Sequence, residues 1–141
     1  MLLPKKNLEF IESLLKRKEG LTLDFKLHIS NSEKIAKTLV GFANTHGGMI
    51  LIGVSDSGKI KGIDGEEEQY MLELASEKFC SPPIPLTYEL YEIENWDGEV
   101  ELEESYVLLV KVPKTGIQHT HINSDGKATV YRREGDQTIP I

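Results

Sequence analysis

Cysteine is nearly absent: Cys80 stands alone in 141 residues. No disulfide can form within the chain, and no cluster of thiolates can hold zinc. Long apolar runs are missing as well. Nothing approaches the roughly 18 consecutive apolar residues of a membrane-crossing helix, and the opening MLLPKKNLEF lacks the apolar core of a secretory leader. A cytoplasmic, reducing setting without membrane attachment is the expectation. Positive charge is scarce, 16 Lys and Arg against 23 Asp and Glu, and the net charge of −7 opposes any general attraction to phosphate. There is no Gly-x-Gly-x-x-Gly, no glycine loop followed by Lys-Ser/Thr and no His-Glu-x-x-His. Internal repeats and low-complexity tracts are absent too.

What is present suits one folded domain. Hydrophobic residues make up 39% of the chain, ordinary for a globular protein of a size that can bury a core. Charge is uneven: Lys5, Lys6, Lys16, Arg17 and Lys18 cluster near the start, and Arg132 and Arg133 lie near the end.

Residues 4–18 place Leu8, Ile11, Leu14 and Leu15 on one helical face, with cations at the end that the helix dipole favours. LTLDFKL then alternates like a half-buried strand, which would display Asp24 and Lys26 on its polar face. Ser30 and Glu33 have capping-box spacing before a strongly periodic helix. THGG stops that helix, Gly47 supplying a left-handed residue. MILIGV reads as a strand buried on both faces, and SDSGKIKGI as a hairpin with Gly58 at a positive-φ position. A third helix follows in EEEQYMLELASEKFC, ended by SPPIP. LTYELYEI, SYVLLVKV and ATVYRRE read as strands, separated by ENWDGE and by the loop PKTGIQHTHINSDGK. The expected fold is a single α+β domain over residues 1–141, an N-terminal helix at 1–18 and a core at 19–141. It would contain about three helices and about six strands in one mixed, largely antiparallel sheet.

His119 and His121 would point the same way in an extended segment, so a metal site is geometrically conceivable there, against a solvated loop as the alternative. His28 and His46 are isolated. Ser55 and Ser57 adjoin Asp56 but no histidine, which gives nucleophilic catalysis little support. Glu19 and Asp24 bracket an apolar strand pattern, either as solvated charges or as part of a site.

Taken together, EGLTLDFK, KIAKTLVGFANTHGGMILIGVSDSGKIKGI and VYRREGDQT resemble the Schlafen-type AlbA-like domain, from residue 19 to about 138. The resemblance implies nucleic-acid binding, to DNA or RNA, in a regulatory role such as transcriptional control. Lys26, Lys59, Lys61, Arg132 and Arg133 are then candidate phosphate contacts. Asn44, Gly47, Gly48, Gly53 and Gly58 carry the architectural motif. In ribonuclease members of that family, acidic residues at the positions matching Glu19, Asp24 and Asp56 form a site for Mg²⁺ or Mn²⁺, with Glu where this chain has the shorter Asp24. Converging carboxylates of this kind repel one another unless a cation lies between them. Apart from convergence, Asp56 is a tight-turn aspartate. Three functions follow as alternatives: a nucleic-acid-binding module, a divalent-metal endoribonuclease acting on structured RNA, and a protein-interaction or homo-oligomerisation domain.

Overall fold

A computed structural model describes residues 2–93 and 105–141. Its central sheet has the order β1-β2-β5-β4, built from β1 (Leu23–Lys26), β2 (Gly48–Ile52), β4 (Thr87–Ile93) and β5 (Ser105–Val112). β1 and β2 are parallel; the other pairings are antiparallel. A parallel pair needs a crossover, and here it is helix α2 (Ser32–Asn44).

The run MILIG supplies a strand with apolar groups on both sides, and the sheet is covered on both. On one face Ile50 and Ile52 of β2 and Leu108 and Val110 of β5 pack with Leu39, Val40 and Phe42 of α2 and Leu72 of α3 (Gly65–Phe79). On the other, Leu51, Leu109, Leu23 and Phe25 meet Ile11 and Leu14 of α1 (Leu8–Arg17). Each fully buried Leu, Ile or Phe contributes about 1.5–3 kcal/mol of transfer free energy, so both layers hold β2 in place.

The α+β class is as expected, but the strands form three sheets. A second sheet joins β3 (Cys80–Ser81), β6 (Thr120–Ile122) and β7 (Ala128–Thr129); a third pairs β8 (Tyr131–Glu134) with β9 (Gln137–Pro140). The expected loop 113–127 thus contains β6, and ATVYRRE is divided between two sheets. Loop ENWDGE lies outside the described residues. The first helix starts at Leu8, because Asn7 caps it by accepting from the Phe10 N–H and because Lys5 pairs with β4 instead. The second is capped by Asn31, whose side chain accepts from the Lys34 N–H. Glu33 is free of any capping-box role and accepts from the Ser124 N–H at 2.6 Å.

Asn44, at the end of α2, ties the sheets together. Its amide donates to the carbonyls of His119 and Tyr131, both at 2.9 Å, and accepts from the His119 N–H at 2.8 Å. Beyond it the chain squeezes between neighbours: a Cβ on Gly48 would lie 2.7 Å from the Phe42 ring.

Candidate functional site

β1 is an edge strand four residues long, and what covers its edge decides the site. The alternation of LTLDFKL places Asp24 on the polar side, yet Asp24 is only 3% exposed. Arg133, brought over by β8, covers it. The guanidinium lies 3.5 Å from Asp24 Oδ1 and donates to the Leu23 carbonyl at 3.4 Å, the Gly20 carbonyl at 3.1 Å and Thr138 Oγ1 at 3.3 Å. Its carbon stands 4.6 Å from the centre of the Phe42 ring, a cation–π distance. Arg133 is therefore no phosphate contact: it is 4% exposed and its donors are used inside the fold.

Lys26 Nζ stands 3.1 Å from Asp24 Oδ2, an ion pair without hydrogen-bond geometry, so that buried oxygen has no donor among these basic groups. Glu19 completes the cluster. Its Oε2 accepts from the Phe25 N–H at 3.3 Å, and its carboxyl hydrogen-bonds that of Asp24. Sharing a proton with Asp24, together with partial burial, raises the Glu19 pKa to about 7, against the lowering pull of the Phe25 amide. For Asp24 burial alone would raise the pKa, but the hydrogen bond from Glu19 and the charges of Lys26 and Arg133 outweigh it and hold the group below its ordinary range. Of the two carboxyls, Glu19 is the one pushed toward its protonated form.

Asp56 sits across an open pocket of about 410 Å³ that Glu19, Asp56, Lys18 and Phe25 line together. Asp136, from the β8–β9 turn, faces the same space; it lies in the REGDQT run, but nothing in the sequence singled it out. Glu19 and Asp56 thus share a pocket while Asp24 is turned to Arg133 and Lys26. Among the described residues no three His, Cys, Asp or Glu side chains are grouped so as to hold a metal ion. As arranged, Glu19 and Asp56 face the pocket while the Asp24 carboxylate faces Lys26 and Arg133.

The other candidate cations separate. Arg132 is exposed and paired with Glu134 at 2.9 Å. Lys59 and Lys61 are exposed on and after the hairpin bridged at Val54 and Ile60. That hairpin hangs from the end of β1, where Gly53 and Val54 N–H groups donate to the Lys26 carbonyl at 2.8 and 3.2 Å. Beside the same strand end is a cleft of about 190 Å³ whose lining includes Lys26, His28, Ser30, Asn31, Lys34 and Thr38. His28 and Lys34 were not legible as site residues, because they join Lys26 only through the turn from β1 into α2.

His119 and His121 are buried. Both ring nitrogens of His119 are engaged, Nδ1 with the Pro82 carbonyl at 2.7 Å and Nε2 with Thr115 Oγ1 at 2.6 Å. A metal shared by the two histidines has no place here.

The family model described as Schlafen, AlbA_2 matches residues 19–141. No curated protein matches the chain. Among solved structures, the chain is similar to the DIP2311 protein from Corynebacterium diphtheriae, with a TM-score of 0.57 at 16% identity. The alignment covers 95% of this chain and 26% of that one. At such identity the likeness is one of fold.

Proposed function

The chain belongs to the Schlafen AlbA_2 family, and from that premise we propose that it is a nucleic-acid-binding module which holds phosphates at the exposed end of β1. One observation carries the reading: on a chain of net charge −7, Lys26, His28 and Lys34 converge from three segments on one polar cleft. The hairpin with Lys59 and Lys61 adjoins it through the Lys26 carbonyl. Lysine ammonium groups and an imidazole are the groups that contact phosphate oxygens, and such contacts position a strand without reading its sequence.

The test is fluorescence anisotropy with labelled single-stranded RNA and duplex DNA over a range of salt. Affinity falls as salt rises, and Lys34→Ala and Lys59→Ala each weaken binding and flatten the logarithmic salt dependence by about one phosphate contact, a slope change of ~0.7–0.9. Affinity that ignores salt, or variants indistinguishable from the parent, would sink the proposal. Cleavage of the RNA only with Mn²⁺, abolished by Asp56→Ala, would favour the hydrolytic alternative instead.

A further inference from the structure

The cleft at the end of β1 draws its cations from β1, from α2 and from the turn between them, so its shape depends on what holds that turn. Ile29, in the turn, lines the cleft and is buried in the core cluster that also contains Ile35, Leu39 and Leu72. Such burial takes its backbone N–H away from water, and a buried backbone donor needs an acceptor. The acceptor is a side chain of α3: Glu68 Oε1 accepts from the Ile29 N–H at 2.5 Å. Three residues further along α3, the Met71 carbonyl accepts from the hydroxyl of buried Ser32 at 3.0 Å. Positions three apart share a helix face, so α3 grips the passage from β1 into α2 at two points. His28 lies just before the gripped stretch and Lys34 just after it.

A carboxylate is a costly acceptor in this place. Glu68 is 6% exposed, and burial pushes its carboxyl above the usual range against the pull of the Ile29 amide and of the His28 charge. Its own charge also repels any phosphate that enters the cleft in front of it. What it supplies is a charge-assisted hydrogen bond, shorter and roughly twice as strong as a neutral one, on a backbone group flanked by the cleft's basic residues. We infer that Glu68 is a positioning residue of the phosphate cleft: it lies outside the lining, and by holding the Ile29 N–H it fixes where His28 and Lys34 stand relative to Lys26. The inference rests on the phosphate reading above and adds the support of that site from α3. The plainer alternative is a bond that only fastens α3 to the rest of the fold. α3 carries a matched control for that role, because the Tyr88 hydroxyl of β4 donates to Glu73 at 2.6 Å and neither residue lines the cleft.

The experiment combines amide hydrogen exchange with anisotropy on labelled single-stranded RNA and duplex DNA, for the parent and for Glu68→Ala, Glu68→Gln, Ser32→Ala and Tyr88→Phe. The Ile29 amide exchanges slowly in the parent and in Glu68→Gln, and fast in Glu68→Ala. Glu68→Ala weakens binding about tenfold, as expected for one lost hydrogen bond to a charged group. Glu68→Gln keeps an acceptor of the same shape and removes the repulsion, so its affinity stays within about twofold of the parent. Ser32→Ala, which releases the second grip, weakens binding less than Glu68→Ala does. Tyr88→Phe lowers the urea midpoint and leaves affinity unchanged. Equal losses of affinity in Glu68→Ala and Tyr88→Phe would assign the effect to the stability of α3 and overturn the inference, as would equal losses in Glu68→Ala and Glu68→Gln. A parent that binds neither nucleic acid in a salt-dependent way removes the phosphate reading and the inference with it, whereas a binding parent matched by Glu68→Ala removes the inference alone.

Discussion

Two carboxyl groups in contact cannot both be ionised cheaply, and at Glu19 and Asp24 the burden falls on Glu19, whose pKa is raised while that of Asp24 is lowered. The consequence for stability has a definite sign. An unfolded Glu releases its proton near 4.5, whereas folded Glu19 holds it to about 7, so this stabilisation is complete below about 4.5 and is lost as pH rises through 7. Asp24 runs the other way, its contribution present above its ordinary value of 3.8 and lost as pH falls through the depressed folded value. Urea midpoints are expected to drop between about pH 5 and about pH 8, and Glu19→Gln, whose amide can donate without titrating, flattens that fall. A flat profile in the parent would show that no proton is shared. The five-residue spacing of these carboxyls is plain in the sequence. The burial of Asp24 is not, because its cover comes from Arg133, 109 positions away, and local alternation carries no information about so distant a partner.

Elements with a strong period were legible, and those held by remote side chains were not. α2, β2 and β5 announce themselves by apolar patterning. β6 and β9 are short and polar, and lie among turn residues. β6 is fixed where the Asn44 amide grips the backbone of His119 just before it. The turn between α2 and β2 shows the same dependence on context. Gly47 and Gly58 both have positive φ, +71° and +83°, but a Cβ on Gly47 would come 2.8 Å from the Val112 carbonyl and 2.9 Å from the Lys114 nitrogen, whereas Gly58 has open space. Gly58→Ala should therefore cost only the left-handed strain of about 1–2 kcal/mol. Gly47→Ala should lose that and a further ~1–3 kcal/mol of overpacking, as a larger fall in the chemical-denaturation midpoint. Equal losses would mean that the α2–β2 passage has room to relax.

Across the whole molecule, charge is arranged by burial more than by number. The Asp24–Arg133 pair has side chains 4% and 2% exposed, while the Arg132–Glu134 pair next to it is open to water, at 51% and 62%. Removing one partner of a buried pair strands the other charge at about 3–5 kcal/mol, and Asp24→Asn, which keeps a polar group near Arg133, is expected at the lower end of that range in urea unfolding. Arg132→Ala is expected to change stability by no more than about 1 kcal/mol. Similar losses for the two would show that the buried pair is no anchor. That anchor joins the first strand of the central sheet to the β8–β9 hairpin, which has a consequence for synthesis. While the ribosome still encloses residue 133, the carboxylate of the first strand has Lys26 beside it but lacks the guanidinium that covers it in the folded protein. The early strand therefore matures only when the late hairpin arrives, and a nascent chain stopped short of Tyr131 remains open to proteases along the β1 edge.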